Sequence, residues 1–375
     1  MKILFTLTYI GFPSVDGRAT SLIPIANSLA ENGQDVHILS TEEIRWGDFE
    51  QDGVKYHIVK AGDRAGLLRL SKRFSRLLGE IKPDIVVYRP GGDLGFKNLF
   101  NVVYLRLMTK LYNRPLVLYL WGGFPLSRFS FLFSKILSPV ADSEIKCNYE
   151  ILPPIVNTKN CFRHQKNPEF LKAIGIKNEK VALFANGSRN YSRHTLDYIL
   201  HDRGLLDIIK AVQILNNEKR LKVLICVPCL FNGKGRKEIT KILDEHRVTD
   251  KFIILGTIEN MRELMATVDC YLFPLSMEDK AWLPFSILES LGCGTPVISS
   301  KHRLAQQIII DHKNGLLVQA RQPYELANAI NSILNDSGIR KKLVEEGLRL
   351  VKERYSYNVV TGKALEIFRS VVNNQ

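Results

Sequence analysis

The chain has no uncharged apolar run of the roughly 18–20 residues that a membrane span requires. Its longest such runs, Pro115–Ser127 and Ile3–Val15, stop at about a dozen residues, short of that span. Cysteine is sparse: six residues, scattered, with Cys226 and Cys270 inside apolar strand-like runs, a usage that fits a reducing compartment. The C-x-x-C at Cys226–Cys229 has no second pair, so two structural thiols at a strand end are expected in place of zinc or redox chemistry. There is no G-x-G-x-x-G, no helix-turn-helix, zinc-finger or RNP pattern, and no obvious internal repeat. A nucleic-acid partner is therefore not expected. Acids are outnumbered, 38 against 52 Lys and Arg, for a net charge of +14. Such a surplus favours polyanionic partners, phosphate esters or anionic lipid, without bearing on fold.

What is present is a chain of 375 residues, 45% hydrophobic, enough for two or three domain cores. The run Lys2–Tyr9 has one Lys and no small-residue cleavage site after it, and reads as a buried strand, not a signal peptide. Strand-like runs follow at Asp35–Leu39, Asp84–Val87, Leu116–Leu120, Val181–Ala185, Leu221–Val227, Phe252–Leu255, Cys270–Phe273, Pro296–Ser299 and Gly315–Val318. Helical patterns such as Leu22–Glu31, Leu205–Asn216 and Tyr324–Asn335 lie between them. Runs apolar on both faces and separated by helices mean parallel sheets covered on both sides, built from right-handed βαβ units. The fold class is α/β, as two Rossmann-like doubly wound domains. The polar stretch Arg163–Pro168, with Gly175 and Lys177–Lys180 after it, marks the boundary.

Three segments carry chemistry. In the loop Tyr9–Arg18, Gly11 and Gly17 let backbone approach a ligand ahead of a helix, although a plain turn reads equally well; Pro24 marks that helix's first turn or a kink. In the second half, Phe184–Arg189 ends a strand in a glycine loop at Gly187, and Arg203-Gly204 opens a helix. A glycine turn with Arg189, Arg193 and Arg203 around it can neutralise a diphosphate, with a surface-cation reading credible for Arg193. Glu289 lies on a helix otherwise buried by Ile287, Leu288 and Leu291, which is costly unless donors such as vicinal sugar hydroxyls, or capping backbone amides, meet it. A fourth segment, Arg64–Lys82, sets Leu67, Leu70, Phe74, Leu77, Leu78 and Ile81 on one helical face and Arg69, Lys72, Arg73 and Arg76 on the other. That pattern suits a helix packed on the first sheet with a solvated basic back, or a face resting on anionic lipid.

The stretch Cys270–Ser299, with Leu288-Glu-Ser-Leu-Gly-Cys-Gly-Thr-Pro-Val297, resembles the retaining glycosyltransferases of GT-B family four. Similar order continues in Ile309–Val318, Pro323–Ile330 and Arg354–Tyr357, and upstream in Leu255–Ile258, Arg203-Gly204 and Leu152–Thr158. The resemblance implies a GT-B fold with a cleft between an acceptor domain (1–165) and a donor domain (166–357). The closing helix, 358–375, would cross back to the first domain. It implies metal-independent transfer, with no cofactor, of a sugar from a nucleotide-sugar donor to a glycan or lipid-linked acceptor. Arg203 and Arg189 would clamp the diphosphate, with Gly187 beside them. Glu289 would hold the ribose, Ile258 flank the base, and Phe285, Ser286 and Ile287 meet the sugar and phosphate. Glu278 would touch the donor sugar, since Ala281 stands eight positions before Glu289 where the family has a second glutamate. Asp93, Asp16, Gly17 and Trp121 fall on the acceptor side, Trp121 in place of the family's histidine. Those two replacements keep open an inactive relative that binds nucleotide sugars or docks on membranes. A cytoplasmic location is expected, with peripheral attachment to the inner membrane face as a further expectation.

Overall fold

The computed structural model describes the chain except residues 8–16, 43–45, 61–65, 91–95, 121–129, 140–147, 157–166, 188–190, 216–217, 219, 259, 277–283 and 375. It divides into two compact units, Met1–Val156 with Arg354–Gln375, and Asn157–Glu353. The sequence had suggested 165/166 and 357/358 for these divisions.

The first unit runs β1 (Lys2–Leu7), α1 (Gly17–Glu31), β2 (Asp35–Glu42), β3 (Gly47–Gln51), β4 (Val54–Lys60), α2 (Gly66–Ile81), β5 (Ile85–Arg89), α3 (Phe96–Leu111), β6 (Leu116–Tyr119), β7 (Lys135–Ser138) and β8 (Glu150–Ile151). Its sheet order is β3-β4-β2-β1-β5-β6-β7-β8, parallel except for β3 against β4. Central strands β1, β5 and β6 are apolar on both faces because helices cover both. Pro24 sits well inside α1, whose start lies five residues before the apolar pattern at Leu22, so the first-turn expectation is corrected. The missing proline N–H removes one helix hydrogen bond there.

The second unit holds α4 (Pro168–Ala173), β9 (Lys180–Ala185), α5 (Arg193–Asp197), α6 (Leu205–Ile214), β10 (Leu221–Cys226), α7 (Gly233–Glu245), β11 (Phe252–Leu255) and α8 (Met261–Thr267). It continues through β12 (Cys270–Phe273), α9 (Phe285–Gly292), β13 (Val297–Ser300), β14 (Leu316–Val318), α10 (Pro323–Asn335) and α11 (Ser337–Arg354). Its order, β11-β10-β9-β12-β13-β14, is that of a dinucleotide-type doubly wound sheet, parallel at every pairing. The chain reverses direction across the sheet between β9 and β12, and in such folds ligands bind outside the carboxyl ends of those strands.

The last helix, α12 (Tyr357–Asn373), packs within the first unit. Val360, Ala364, Ile367, Phe368 and Val371 recur at helical spacing and enter the core around β1, where the Phe368 and Phe5 rings lie 6.4 Å apart. Ser28 of α1 and Thr361 share a buried hydrogen bond across the same seam.

A buried carboxylate fastens the second unit. Asp269, its side chain fully enclosed just before β12, accepts from the Val181 N–H at 2.8 Å and from Arg340 of α11 at 3.1 Å. Asp269→Ala leaves both donors unmet. Urea unfolding of the variant should show a loss of about 3 kcal/mol, toward the low end for a broken buried pair because Arg340 keeps some solvent.

Candidate functional site

The end of β12 supplies the platform. Cys270 and Leu272 turn into the core shared with α6 and α10, so the two-residue period sends Tyr271 and Phe273 to the opposite face. Their rings lie 6.4 Å apart. Against that strand end comes a single π-helical turn, Tyr198–Asp202, closed by the Arg203 N–H donating to the Tyr198 carbonyl at 2.9 Å. Gly204 follows with φ +76°, outside the comfortable range of L residues, and leads into α6. A Cβ at Gly204 would sit 2.0 Å from the Pro274 carbonyl oxygen, so only glycine allows this approach. The Ser276 N–H donates to the Asp202 carbonyl at 2.9 Å, and the Ser276 hydroxyl to the His201 carbonyl.

This packing aims Arg203. Its guanidinium lies 4.8 Å from the centroid of the Phe273 ring, a cation–π placement that fixes a charge without neutralising it. The buried Tyr271 hydroxyl marks where the elements converge. Burial raises its pKa; Ser286 on the first turn of α9 and the Arg203 charge offset that in part, while the Glu289 charge adds to it. Glu289 is half-buried as a residue while its carboxyl group is crowded by protein. Burial raises its pKa above 4.5, and Arg262 of α8 offsets that in part. Arg203 and Glu289 therefore both act electrostatically on one phenol at the carboxyl end of a switch-point strand.

The other expected residues fall as follows. Gly187 lies two residues past β9 with nothing within 4 Å of a hypothetical Cβ, open space beside the strand end. Ile258 is half-buried in the loop after β11. In that loop the Phe231 ring lies against Gly256, 3.0 Å from where a Cβ would stand, and Phe231 is 49% exposed. Phe285 and Ser286 are half-buried. Ile287 is corrected: its side chain is fully enclosed and its N–H donates to the Pro284 carbonyl, so it serves the core. Arg193 lies on the surface, paired with Asp197 at 3.4 Å, and is not aimed into the site. Gly17 opens α1. Arg189, Glu278, Asp16, Asp93 and Trp121 lie outside the described residues.

The cysteine pair is structural, as expected. Cys226 donates from its thiol to the Gly256 carbonyl at 3.4 Å, and burial pushes its pKa up to about 11. The expected basic back of α2 is only partly solvated. Arg69 donates to the Lys60 carbonyl, and Arg73 pairs with Asp48 of β3 beside His57, leaving Lys72 and Arg76 exposed. Sequence reasoning missed Tyr271, Phe273 and Phe231. The alternation within Cys270–Phe273 was the available signal for the first two.

Gly204→Ala must either move the β12 exit or twist the π turn. Thermal unfolding should show a destabilisation of about 2 kcal/mol or more. Any folded variant should show Arg203 displaced from the Phe273 ring by crystallography.

Residues 196–349 match the family model of glycosyl transferases group 1. A lipopolysaccharide core biosynthesis glycosyltransferase of Rhizobium meliloti, LpsE, is 29% identical over 141 residues, 38% of this chain and 41% of that protein. The N,N'-diacetylbacillosaminyl-diphospho-undecaprenol alpha-1,3-N-acetylgalactosaminyltransferase of Campylobacter jejuni is 21% identical over 57% of this chain and 60% of its own. The chain thus spans less than two thirds of these curated relatives. Among solved structures, HepE of Anabaena in complex with UDP superposes with a TM-score of 0.72 at 17% identity, covering 99% of this chain and 100% of that one. A glycosyltransferase from Rickettsia africae gives 0.76 at 17% identity, covering 100% and 99%. The chain accordingly has the GT-B fold, and residues 196–349 of its second unit are similar to glycosyl transferases group 1.

Proposed function

We propose that the protein is a metal-independent, retaining glycosyltransferase that moves a sugar from a nucleoside-diphosphate sugar to a hydroxyl of a glycan or lipid-linked acceptor. The observation that carries this reading is the Arg203 guanidinium laid over the Phe273 ring at the carboxyl end of β12, with the crowded Glu289 carboxyl group on the helix that follows that strand. A guanidinium and a carboxylate a few residues' reach apart suit a ligand that has phosphate at one end and vicinal hydroxyls at the other. Solved neighbours of the same fold hold UDP and UDP-glucose, and the Campylobacter relative is named for a diphospho-undecaprenol acceptor.

In this reading the bond from the anomeric carbon to the diphosphate breaks, and the acceptor oxygen bonds to the same face of that carbon. The acceptor proton passes to the departing phosphate oxygen, so no separate general base is needed. Arg203, held over the Phe273 ring and paired with no carboxylate among the described residues, stabilises the charge growing on the diphosphate, as preorganised donors do. Arg189 and Gly187 complete the phosphate side. Glu289 takes the ribose hydroxyls, and Ile258 flanks the base. Glu278 is assigned to the donor sugar, and Asp16 and Asp93 to orienting the acceptor. Ala281 and Trp121 favour a second reading, an inactive relative that binds the donor without transfer; labelled donor with a glycolipid extract separates the two.

Thermal unfolding with UDP tests the nucleotide site. At about one hundred times Kd, binding to the native state alone adds about 2.7 kcal/mol. Arg203→Ala should remove most of that shift while leaving the ligand-free melting temperature close to the parent's. No shift with any nucleoside diphosphate would sink the proposal.

Glu289 predicts a further split. Because its folded pKa is raised, the native state holds a proton more tightly than the unfolded chain does. Stability therefore falls as pH rises from about 4.5 through the folded value, and the full penalty remains above it. Glu289→Gln should raise the ligand-free melting temperature at neutral pH, shrink the UDP shift, and erase discrimination between UDP and its 2′-deoxy analogue. Retained discrimination would remove Glu289 from the ribose.

A further inference from the structure

The outer side of α3 is not absorbed by the core. Its inner residues Val102 and Leu105 are buried against the first sheet, yet Val103, Leu107 and Leu111 are 41%, 62% and 76% exposed. Positions four apart stack along a helix at about 1.5 Å per residue, so these three make an apolar stripe roughly 12 Å long. Offsets of three place Arg106 and Lys110 beside the stripe. Over residues 96–114 there is no Asp or Glu.

Neighbouring α2 extends the basic side of this face. Tyr104 of α3 donates to the Ser71 carbonyl at 2.9 Å and its hydroxyl lies 2.6 Å from that of Ser75. The Tyr112 ring lies 3.8 Å from where a Cβ on Gly79 would stand. Lys72 and Arg76, the two cations that α2 does not spend internally, are exposed on the helix so held.

We propose that this face, the Val103–Leu107–Leu111 stripe with Lys110 beside it and Lys72 and Arg76 exposed on the adjoining α2, docks on an anionic lipid bilayer. Apolar side chains interleaved with cations match the boundary where acyl chains meet phosphate; α3 brings no acid, and the one acid of α2, exposed Glu80, lies 3.8 Å from Arg73. A second copy of the chain is a poorer occupant. A two-fold contact would set the stripe's own cations against their symmetry mates. The purpose of the surface, reaching a lipid-linked acceptor, rests on the function proposed above; its chemistry does not.

Flotation with phosphatidylcholine vesicles, with and without phosphatidylglycerol, tests it on the full chain. The parent protein should float with the anionic vesicles at low salt and not with the neutral ones. Leu107→Asp with Leu111→Asp should lower the bound fraction about tenfold, and Lys110→Glu should lower it several-fold, both keeping the parent's melting temperature and UDP shift. Flotation with the UDP shift absent would overturn the nucleotide site and leave this surface standing. The surface itself is overturned if the parent stays unbound, if the double variant floats equally well, or if light scattering shows a parent dimer that the double variant converts to monomer.

Discussion

Everything in the second unit's site depends on Gly204 lying against the Pro274 carbonyl. A hydrogen atom in place of a side chain lets a π-helical turn and the exit of a buried strand share the same space. Two hydrogen bonds from Ser276 to Asp202 and His201 hold that approach once made. The consequence is local and directional. Arg203 leaves a turn wider than an α-helical one, and its guanidinium meets an aromatic face instead of an acid. A cation held by a ring keeps its charge for a ligand, whereas a salt bridge would have consumed it.

The arrangement stores unfavourable terms where a ligand could relieve them. Glu289 keeps a carboxyl group crowded by protein, with Arg262 as a partial counterweight, and the Tyr271 hydroxyl is buried with Ser286 as its polar neighbour. Uncompensated burial of this kind costs stability and tends to concentrate at working sites. By contrast, Asp269 has a buried carboxylate met by two donors, and Asn314 meets the Ile308 carbonyl and the Ile310 N–H in a closed turn. Those groups serve architecture. The difference between met and unmet polar groups separates the site from the scaffold better than residue type does.

Much of the sheet could be read directly from the chain. Phe252–Leu255 and Cys270–Phe273 form strands over the residues their apolar runs mark, because buried parallel strands must be apolar on both faces. β3 escaped because it is an edge strand with no buried residue, and β4 because it alternates buried with more exposed residues and lacks a continuous apolar run. That omission had a price for α2: Arg73 read as a solvated cation because its partner Asp48 stands on the unrecognised β3. Glu289 and Arg203 were legible as individual oddities, a carboxylate on a buried helix and an arginine before a glycine. Their common neighbour was not. Tyr271 sits 68 positions after Arg203 and 18 before Glu289, and only the fold sets it between them. The π turn was equally hidden, since a 3.6-residue pattern carries no mark of a five-residue closure.

Both units repeat the same winding, yet their switch points are furnished differently. In the second unit the strand beside the switch ends in Tyr271, Phe273 and Pro274, with Arg203 and Glu289 brought in from two helices. In the first, β5 ends in Tyr88 and Arg89, both buried, with Arg89 close enough to Tyr119 to influence its hydroxyl. The Arg89 guanidinium is enclosed by its own unit, whereas that of Arg203 is laid over an aromatic ring at the strand end. What decides between them is which side chains the loops deliver to the strand ends, not the order of the strands.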